Sequence, residues 1–375
     1  MVDLALKMLL HDRLRAAMTV AGVGFSVALA LVQTGLFLGA MDNASTMIEH
    51  ARADLWVTSH HVANVDFAQT IPAETVERVR EVPGVARADN LIVSYVTIAL
   101  PSGSEELLEV YAMSDFREWG IPWEVRRGNL DDLRRGPFIF LDQSANRRYG
   151  PFHVGQDREL LGRRFRIVGR TAGAISFTTT PIAFMDIHHL RDLQPDQLLG
   201  RTDYVLVRLA PGADAAAVSA ALRRRLPYDD VLTRAEWAAR SRRYWIVSTG
   251  LGLNMYITLL LGALVGVAIV AQTLYAATLE HLREFGTVKA IGGANRDIYR
   301  ILAEQAVLVA VAGFALGEVP AWALPPVLHR VGLKLLVPAG VHAAAAAGAV
   351  VLCLSAAMIS FHKVARLDPA LVFRT

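Results

Sequence analysis

Apolar residues are concentrated in four segments, and a stretch of about 205 residues between the first two shows the mixed pattern of a water-exposed domain. The four segments are 16–41, 244–279, 301–324 and 335–362. A bilayer core about 30 Å thick requires roughly 20 apolar residues in a helix. Only Glu304 and Glu318 interrupt the third segment, and both fit positions near opposite membrane borders. The pattern predicts an α-helical membrane protein with four transmembrane helices and a large domain inserted between helices 1 and 2.

The predicted boundaries divide the whole chain. They give an amphipathic cytosolic helix over 1–15, transmembrane helices over 16–41, 244–279, 300–324 and 339–362, a large extracytoplasmic domain over 42–243, a cytosolic coupling helix and loop over 280–299, a short outer loop over 325–338, and a cytosolic tail over 363–375. At 1.5 Å per residue the second helix would be about 54 Å long, so it would tilt strongly or project beyond the bilayer.

Basic residues flank the spans on one side of the membrane. They are Lys7, Arg13 and Arg15 before the first span, Arg283, Lys289, Arg296 and Arg300 between the second and third, and Lys363, Arg366 and Arg374 after the fourth. The positive-inside rule then places both termini in the cytoplasm and the large domain outside, in the periplasm of a Gram-negative bacterium. Trp237, Tyr244 and Trp245 are predicted to form an aromatic belt at the outer border of the second span.

The large domain is predicted to be α+β. Strand–helix–strand patterns occur at both of its ends, and turn and strand signals dominate between about 110 and 200. The predicted strands are 54–59, 85–100, 137–141, 164–168, 182–185, 204–209 and 230–233, and the predicted helices are 72–81 and 211–226. We interpret the middle region as a β-rich insertion in the α+β module.

Composition sharpens this picture. The chain is 53% hydrophobic with a mean hydropathy of +0.35, and only 19% of its residues are charged, against about 25% in a soluble domain. Residues 41–245 hold 26 Arg, no Lys and 27 acidic residues. The positive excess therefore lies at the membrane borders, where it indicates lipid rather than nucleic acid as the partner.

Candidate chemistry in the large domain is sparse. The sequence contains neither HExxH nor GxSxG, and one cysteine, Cys353, cannot form an intrachain disulfide. The adjacent histidines His60–His61 and His188–His189 cannot easily share a metal, because successive strand side chains point to opposite faces. We therefore predict no catalytic residue and no metal site.

Glycines at GxxxG spacing occur in three of the predicted spans. The pairs are Gly35–Gly39, Gly262–Gly266 and Gly313–Gly317. Small residues at this spacing let helix backbones approach closely. The pattern predicts helix packing, either within the chain or between two copies of it.

The segment after the second span reads EHLREFGTVKAIGGANRDIY over 280–299. It resembles the coupling region of MacB/FtsX-type ABC transporter permeases. The C-terminal residues 367–370 (LDPA) with Phe373 and Arg374 are similar to that family's closing signature. The N-terminal Leu10-His11-Asp12, Arg15, Ala21-Gly22, Gln33 and Gly35 resemble its DevC branch.

The resemblance implies a homodimeric permease bound to two copies of a cytosolic ABC ATPase. The residues that it assigns to ATPase coupling are Glu280, Arg283, Glu284, Phe285, Gly286, Lys289 and Gly292. Closure of the ATPase pair on ATP would move the helices and the large domain, a process called mechanotransmission. The DevC branch further implies a periplasmic membrane-fusion protein and an outer-membrane channel. ATP and Mg²⁺ would be bound by the partner ATPase and no cofactor by this chain.

The sequence contexts of the lysines are consistent with an ATPase on a separate subunit. A P-loop needs Gly-Lys followed by Ser or Thr. The four lysines are Lys7, Lys289, Lys334 and Lys363, and none has that context. We therefore expect a non-enzymatic subunit that depends on a separate ATPase.

The sequence thus predicts the permease subunit of an ATP-driven exporter in the bacterial inner membrane. Two alternatives stay open: a permease of the same superfamily that extracts lipoproteins or signals to cell-wall hydrolases as FtsX does, and a membrane-anchored sensor or enzyme without an ATPase. The sequence does not identify the transported substrate.

Overall fold

The computed structural model describes residues 13–178, 180–280, 295–330 and 332–365. Residues 1–12 of the predicted N-terminal amphipathic helix, most of the coupling segment and most of the C-terminal tail lie outside these described residues. The chain divides into two compact units. The membrane unit comprises the residues up to Gly39 and those from Leu251 onward, and the large domain comprises Ala40–Gly250.

Four helices are long and apolar enough to cross a membrane. They are the first membrane helix Arg13–His50, the second Leu251–Glu280, the third Asn295–Ala323 and the fourth Ala339–Ala365, and a short helix Pro325–Arg330 follows the third. Valine and alanine dominate their buried positions, for example Val23, Val27, Ala306 and Ala310. Such small side chains let the helix axes lie close together.

The second membrane helix differs from its prediction. The sequence predicts one unbroken helix over 244–279, and this is wrong. Tyr244–Ser248 forms a separate π-helical turn, the chain bends at Thr249 and Gly250, and the α-helix begins at Leu251. Gly250 has a φ of +73°, a conformation that glycine adopts without the steric cost a Cβ would bring.

The other helix boundaries also move. The first membrane helix continues past the predicted end at residue 41 to His50, because Ala44, Ser45 and Ile48 are fully buried in the large domain. The third is already helical at Asn295, five residues before its predicted start at 300, and the fourth is still helical at Ala365, three residues beyond its predicted end at 362. The predicted outer loop over 325–338 contains the helix Pro325–Arg330.

The large domain is built on one mixed ten-stranded sheet with the order β12-β1-β11-β3-β4-β9-β6-β8-β5, in which β7 pairs with β3 and β8. The strands are β1 Leu55–Ser59, β3 Val85–Ala99, β4 Glu105–Met113, β5 Val125–Arg127, β6 Phe138–Asp142, β7 Asp157–Leu160, β8 Arg163–Thr171, β9 Ile182–Met185, β11 Tyr204–Leu209 and β12 Asp229–Thr233. A second sheet pairs β2 Ile71–Pro72 with β10 Arg201–Thr202.

The two predicted strand–helix–strand units share this sheet. Strand β1 of the first unit lies between β11 and β12 of the second, and Trp56 is opposite both Leu206 and Leu232. Strand β3 pairs with β11 at one end and with β4 along the rest of its length. The strands of the predicted β-rich insertion continue the same sheet beyond β4, so both strand–helix–strand units and the insertion share the ten-stranded sheet.

Short helices cover the sheet. They are Thr75–Arg80, Phe116–Trp119, Ala145–Arg148, Ile187–Leu193, Pro195–Leu198, Ala215–Arg225 and Arg234–Arg243, with a 3-10 turn at Leu130–Arg134. Helix Arg234–Arg243 begins at a capping box, in which Thr233 and Glu236 each bond the other's backbone amide. Such a cap satisfies amides that the first helical turn leaves without partners. The chain is thereby directed out of β12 into this helix.

Candidate functional site

Two glycines of the second membrane helix lie against the first. A Cβ on Gly262 would be 2.8 Å from Leu29 Cδ2, and one on Gly266 would be 2.5 Å from Ser26 Oγ. The Ser26 hydroxyl lies 3.1 Å from the carbonyl oxygens of both Gly22 and Gly262. Because the hydroxyl reaches the neighbouring backbone directly, the two helices are in backbone-level contact here. No pattern in the sequence distinguished Ser26 from the other serines.

Two glycines of the third membrane helix contact the same first helix. A Cβ on Gly313 would be 2.5 Å from Val23 Cγ1, and one on Gly317 would be 2.6 Å from Val27 Cβ and 2.8 Å from the carbonyl oxygen of Gly24. Real Cβ atoms essentially never approach other atoms so closely. The first membrane helix is thus packed against backbone on both neighbouring helices.

The third glycine pair faces the segment between the third and fourth membrane helices. A Cβ on Gly35 would be 2.7 Å from Val337 Cγ2 and 2.8 Å from Leu335 Cδ1, and one on Gly39 would be 1.8 Å from the carbonyl oxygen of Lys334. The contacts of all six predicted glycines are therefore with other parts of their own chain.

Glu318 of the third membrane helix has partners that the sequence did not reveal. Its carboxylate accepts a hydrogen bond of 3.0 Å from Trp322 Nε1 and lies 2.7 Å from Nδ1 of His342 in the fourth membrane helix. An intramembrane ionisable residue is costly unless it is paired. The only signal in the sequence was a histidine in an alanine-rich segment.

The predicted coupling residues lie largely outside the described residues. The second membrane helix is described as far as Glu280, and the chain is described again from Asn295, which is part of the third. Arg283, Glu284, Phe285, Gly286, Lys289 and Gly292 all fall between these two points.

In the large domain, the end of the first membrane helix is fixed by helix Arg234–Arg243. The buried Ser241 hydroxyl donates a hydrogen bond of 2.7 Å to the carbonyl oxygen of Ala44. Arg242 donates to Ser45 Oγ at 2.9 Å and also contacts Glu49. These bonds hold residues 40–50 within the domain.

The predicted aromatic belt is wrong for two of its three residues. Trp237 is fully buried and Trp245 is 7% exposed, both within the large domain. Trp237 packs against Tyr204, and Trp245 stacks on Phe177 with ring centroids 3.7 Å apart. An aromatic residue next to an apolar run has the same pattern whether it lies at a membrane border or in a protein core.

His60 of the large domain takes part in a structural ion-pair network. His60 Nδ1 lies 2.8 Å from Asp230 Oδ1, and this hydrogen bond raises the pKa of His60 above its ordinary value. Asp230 also pairs with Arg240. Among the described residues there is no group of three or more His, Cys, Asp or Glu side chains that could hold a metal ion.

Comparisons with known proteins agree with this architecture. The family profile of the MacB-like periplasmic core domain matches residues 16–225, and that of the FtsX-like permease C-terminal region matches 256–369. Chains named as uncharacterized ABC transporter permeases in two strains of Mycobacterium tuberculosis are 26% identical over 375 residues, which is 100% of this chain and 99% of theirs. A permease of Mycobacterium bovis is 25% identical over 367 residues, covering 96% of this chain and 95% of its own.

Two solved structures resemble the large domain more distantly. The periplasmic region of MacB from Actinobacillus actinomycetemcomitans has a TM-score of 0.41 at 10% identity, covering 50% of this chain and 92% of that one. The extracellular domain of the transporter YknZ from Gram-positive bacteria has a TM-score of 0.36 at 11% identity, covering 48% and 99%. Because the periplasmic-core profile alone spans more than half of the sequence and the permease profile covers the last three membrane helices, the chain belongs to the MacB/FtsX-type superfamily of ABC transporter permeases and is a multi-pass inner-membrane protein.

Proposed function

We propose that the chain is the permease subunit of an ATP-driven exporter and that it passes motion from a cytosolic ATPase to the large domain. One observation carries this proposal. The first membrane helix is continuous from Arg13 to His50, although its residues up to Gly39 belong to the membrane unit and the rest to the large domain. A continuous α-helix transmits displacement along its axis, because every backbone hydrogen bond resists its extension.

Contacts at both ends of this helix support the same role. In the membrane unit, Gly266 and Gly313 bring neighbouring helices to within backbone distance of it. In the large domain, Ser241 and Arg242 bond its last turns. If the second or third membrane helix moved, it would therefore displace the first helix and would not slide past it.

An ABC transporter permease works with a cytosolic ATPase, and we propose segment 280–299 as the docking site. The residues are Glu280, Arg283, Glu284, Phe285, Gly286, Lys289 and Gly292. In this arrangement both termini and this segment are cytoplasmic, the large domain is extracytoplasmic, and ATP and Mg²⁺ are bound by two ATPase copies. The functional unit is a homodimer of the permease.

Charge reversal in the coupling segment tests this proposal. We expect Arg283→Glu and Glu284→Arg, or Gly286→Trp, to reduce the amount of ATPase that co-purifies with the full chain by about tenfold, which corresponds to about 1.4 kcal/mol. ATP-dependent changes in hydrogen exchange of the large domain should disappear with it. Arg224→Glu is the matched control, because Arg224 is an exposed arginine of the large domain.

Two results would contradict coupling. One is purification of the native complex with no ATP-binding subunit, and the other is an unchanged ATP response in the variants at normal expression. Whether the complex exports a substrate is tested separately, by mass spectrometry of the native complex. A membrane-fusion protein and an outer-membrane channel support export of the DevC kind. A lipoprotein carrier or a cell-wall hydrolase in their place would overturn export and leave coupling intact.

A further inference from the structure

Two carboxyl groups are buried next to each other in the large domain. Glu109 on β4 is fully buried, and Asp66, in the loop between β1 and β2, is 4% exposed. Both oxygens of Glu109 and Oδ2 of Asp66 have no hydrogen-bond partner among the described residues. No described basic side chain forms an ion pair with either group. Buried carboxylates are costly without such partners, so the pair must hold a neutralising ion or a proton.

The groups that face the pair favour a proton. They are the hydroxyls of Tyr95 on β3, Tyr111 on β4, Tyr204 on β11 and Ser176, the amide of Asn64, and, behind Tyr204, the carboxyl of Asp203. None of them carries positive charge. Burial raises the pKa of Asp66 to about 7, and burial together with repulsion from Asp66 raises the pKa of Glu109 well above its usual range.

Asp66 also joins two loops. In its own loop, the Asn64 side chain accepts hydrogen bonds from the amides of Asp66 and Phe67 at 2.9 and 3.0 Å. From the second loop, which follows β8, the backbone amide of Phe177 lies near enough to the Asp66 carboxyl to lower its pKa. That loop is closed on itself by a bond of 3.0 Å from the Ser176 amide to the carbonyl oxygen of Thr180.

Each loop places an aromatic ring on Trp245. Phe177 stacks on it at 3.7 Å between ring centroids with planes 18° apart, and Phe67 lies 5.9 Å away. Trp245 belongs to the π-helical turn that precedes the second membrane helix in the chain. Phe67 directly follows Asp66, and Phe177 directly follows Ser176, so the rings that contact Trp245 belong to the same two loops that meet at the acid pair.

A path for protons leads away from the pair. Ser176, whose hydroxyl lies beside Glu109, is 2.9 Å from Thr178 Oγ1, and Thr178 is 3.0 Å from Thr180 Oγ1. Arg148 Nη1 donates to Thr180 Oγ1 at 3.1 Å. Because Thr178 is exposed, this row of hydroxyl groups extends from beside Glu109 to solvent.

We propose that Asp66 and Glu109 form a proton-operated latch that closes the two loops around Trp245. With a proton on the pair, the carboxyls share a hydrogen bond and the loops stay together. When both carboxyls ionise, their repulsion in a desolvated site separates the loops and frees the π-helical turn. The latch makes the response of the large domain depend on the pH of the compartment that surrounds it.

Hydrogen exchange of the full chain in lipid nanodiscs tests the latch, with intrinsic exchange rates corrected for pH. From about pH 5 to about pH 9, we expect protection of the peptides covering 62–70, 174–182 and 244–250 to fall together by about tenfold or more. Glu109→Gln and Asp66→Asn should remove this pH dependence. Glu105→Gln is the control, because Glu105 lies on the same strand but is exposed, and it should behave as the wild type does.

A second measurement uses the wild-type protein alone, so it does not depend on whether the variants fold. An infrared carbonyl band of a protonated carboxyl should persist at neutral pH and vanish as pH rises. A band that is absent at neutral pH, or exchange in the three peptides that does not change with pH, would overturn the latch. If Ca²⁺ or Mg²⁺ at neutral pH restored protection in the wild type but not in Glu109→Gln, the pair would be a cation site and the proton assignment would be wrong.

Discussion

The amide of Leu336 donates a hydrogen bond of 3.0 Å to the carbonyl oxygen of Gly35. Leu336 lies in the non-helical segment 332–338, and Gly35 lies within the first membrane helix. A helical carbonyl has a second lone pair available for such a bond. The segment reaches it because Gly35 and Gly39 have no side chains in the way. Non-helical backbone at membrane depth needs protein partners of this kind.

Gly39 permits the closest of these contacts. We expect Gly39→Ala to displace segment 332–338, because the added Cβ would lie 1.8 Å from the carbonyl oxygen of Lys334 and a backbone atom cannot give way as a side chain can. The loss in stability should be about 1–3 kcal/mol, measured as a lower thermal unfolding midpoint in detergent. Gly340→Ala is the matched control, because nothing lies within 4 Å of a Cβ there. Equal midpoints for the two variants would contradict the contact.

Gly313 makes the corresponding contact between the first and third membrane helices. Its replacement by alanine would bring a methyl group to 2.5 Å from Val23 Cγ1, so the two helices must move apart. We expect a loss of about 1–3 kcal/mol and a smaller ATP-dependent response of the large domain. Gly348→Ala places the same methyl in open space on the fourth helix and should leave both measurements unchanged. If both variants lowered the response equally, the helix contact would not be the cause.

Glu318 and His342 join the third and fourth membrane helices. A double-mutant cycle of Glu318→Ala and His342→Ala should give a coupling energy of about 1 kcal/mol, as for other polar pairs between membrane helices. The pair Arg300–Glu304, on one helix with Arg300 largely exposed, should give only about 0.3 kcal/mol. Unfolding midpoints of the single and double variants provide both values. A coupling near zero for Glu318 and His342 would mean that the contact adds nothing to stability.

Asp203 predicts a pH dependence that is separate from the latch. Its Oδ2 accepts a hydrogen bond of 2.8 Å from the Val93 amide, and burial raises its pKa from 3.8 to about 6. Between these values the folded state binds more protons than the unfolded state, so stability falls as pH rises from about 4 to about 6 and changes no further above that.

Asp203→Asn keeps an acceptor for Val93 and cannot ionise. We expect it to remove this part of the slope and to raise the free energy of unfolding at pH 7 by about 3 kcal/mol. Asp192→Asn, at an exposed position, should retain the wild-type slope. Denaturant unfolding at several pH values distinguishes the two. If the free energy of unfolding at neutral pH were lower in Asp203→Asn than in the wild type, the carboxylate would be needed in its charged form.

Regular patterns made much of the fold predictable. The strand predicted over 182–185 has the same limits in the structure, because a short apolar run lies between turn signals there. The long strand at 85–100 and the strand at 204–209 also agree within one residue. Glycine spacing indicated where helices approach closely but could not identify their partners, since spacing contains no information about the facing helix.

Features that depend on tertiary contacts were not predictable in this way. An uncharged run over 244–279 gave no signal for the break at Gly250, because glycine is also common in membrane helices. Glu109 looked like Glu105, which is exposed on the same strand, since strand alternation does not tell which face a loop will cover. Asp66 is far from Glu109 in sequence, and only the fold brings them together.

The contact of Lys334 with Gly39 also offers a labelling site. Lys334 has an exposed side chain, and the other lysine among the described residues, Lys363, lies in the fourth membrane helix. The large domain presents arginine alone, which amine-directed reagents do not modify. A fluorescent succinimidyl ester will therefore label the chain without background from the large domain and without the introduction of a cysteine, and Lys334→Arg identifies the share of the signal that comes from the junction with Gly39.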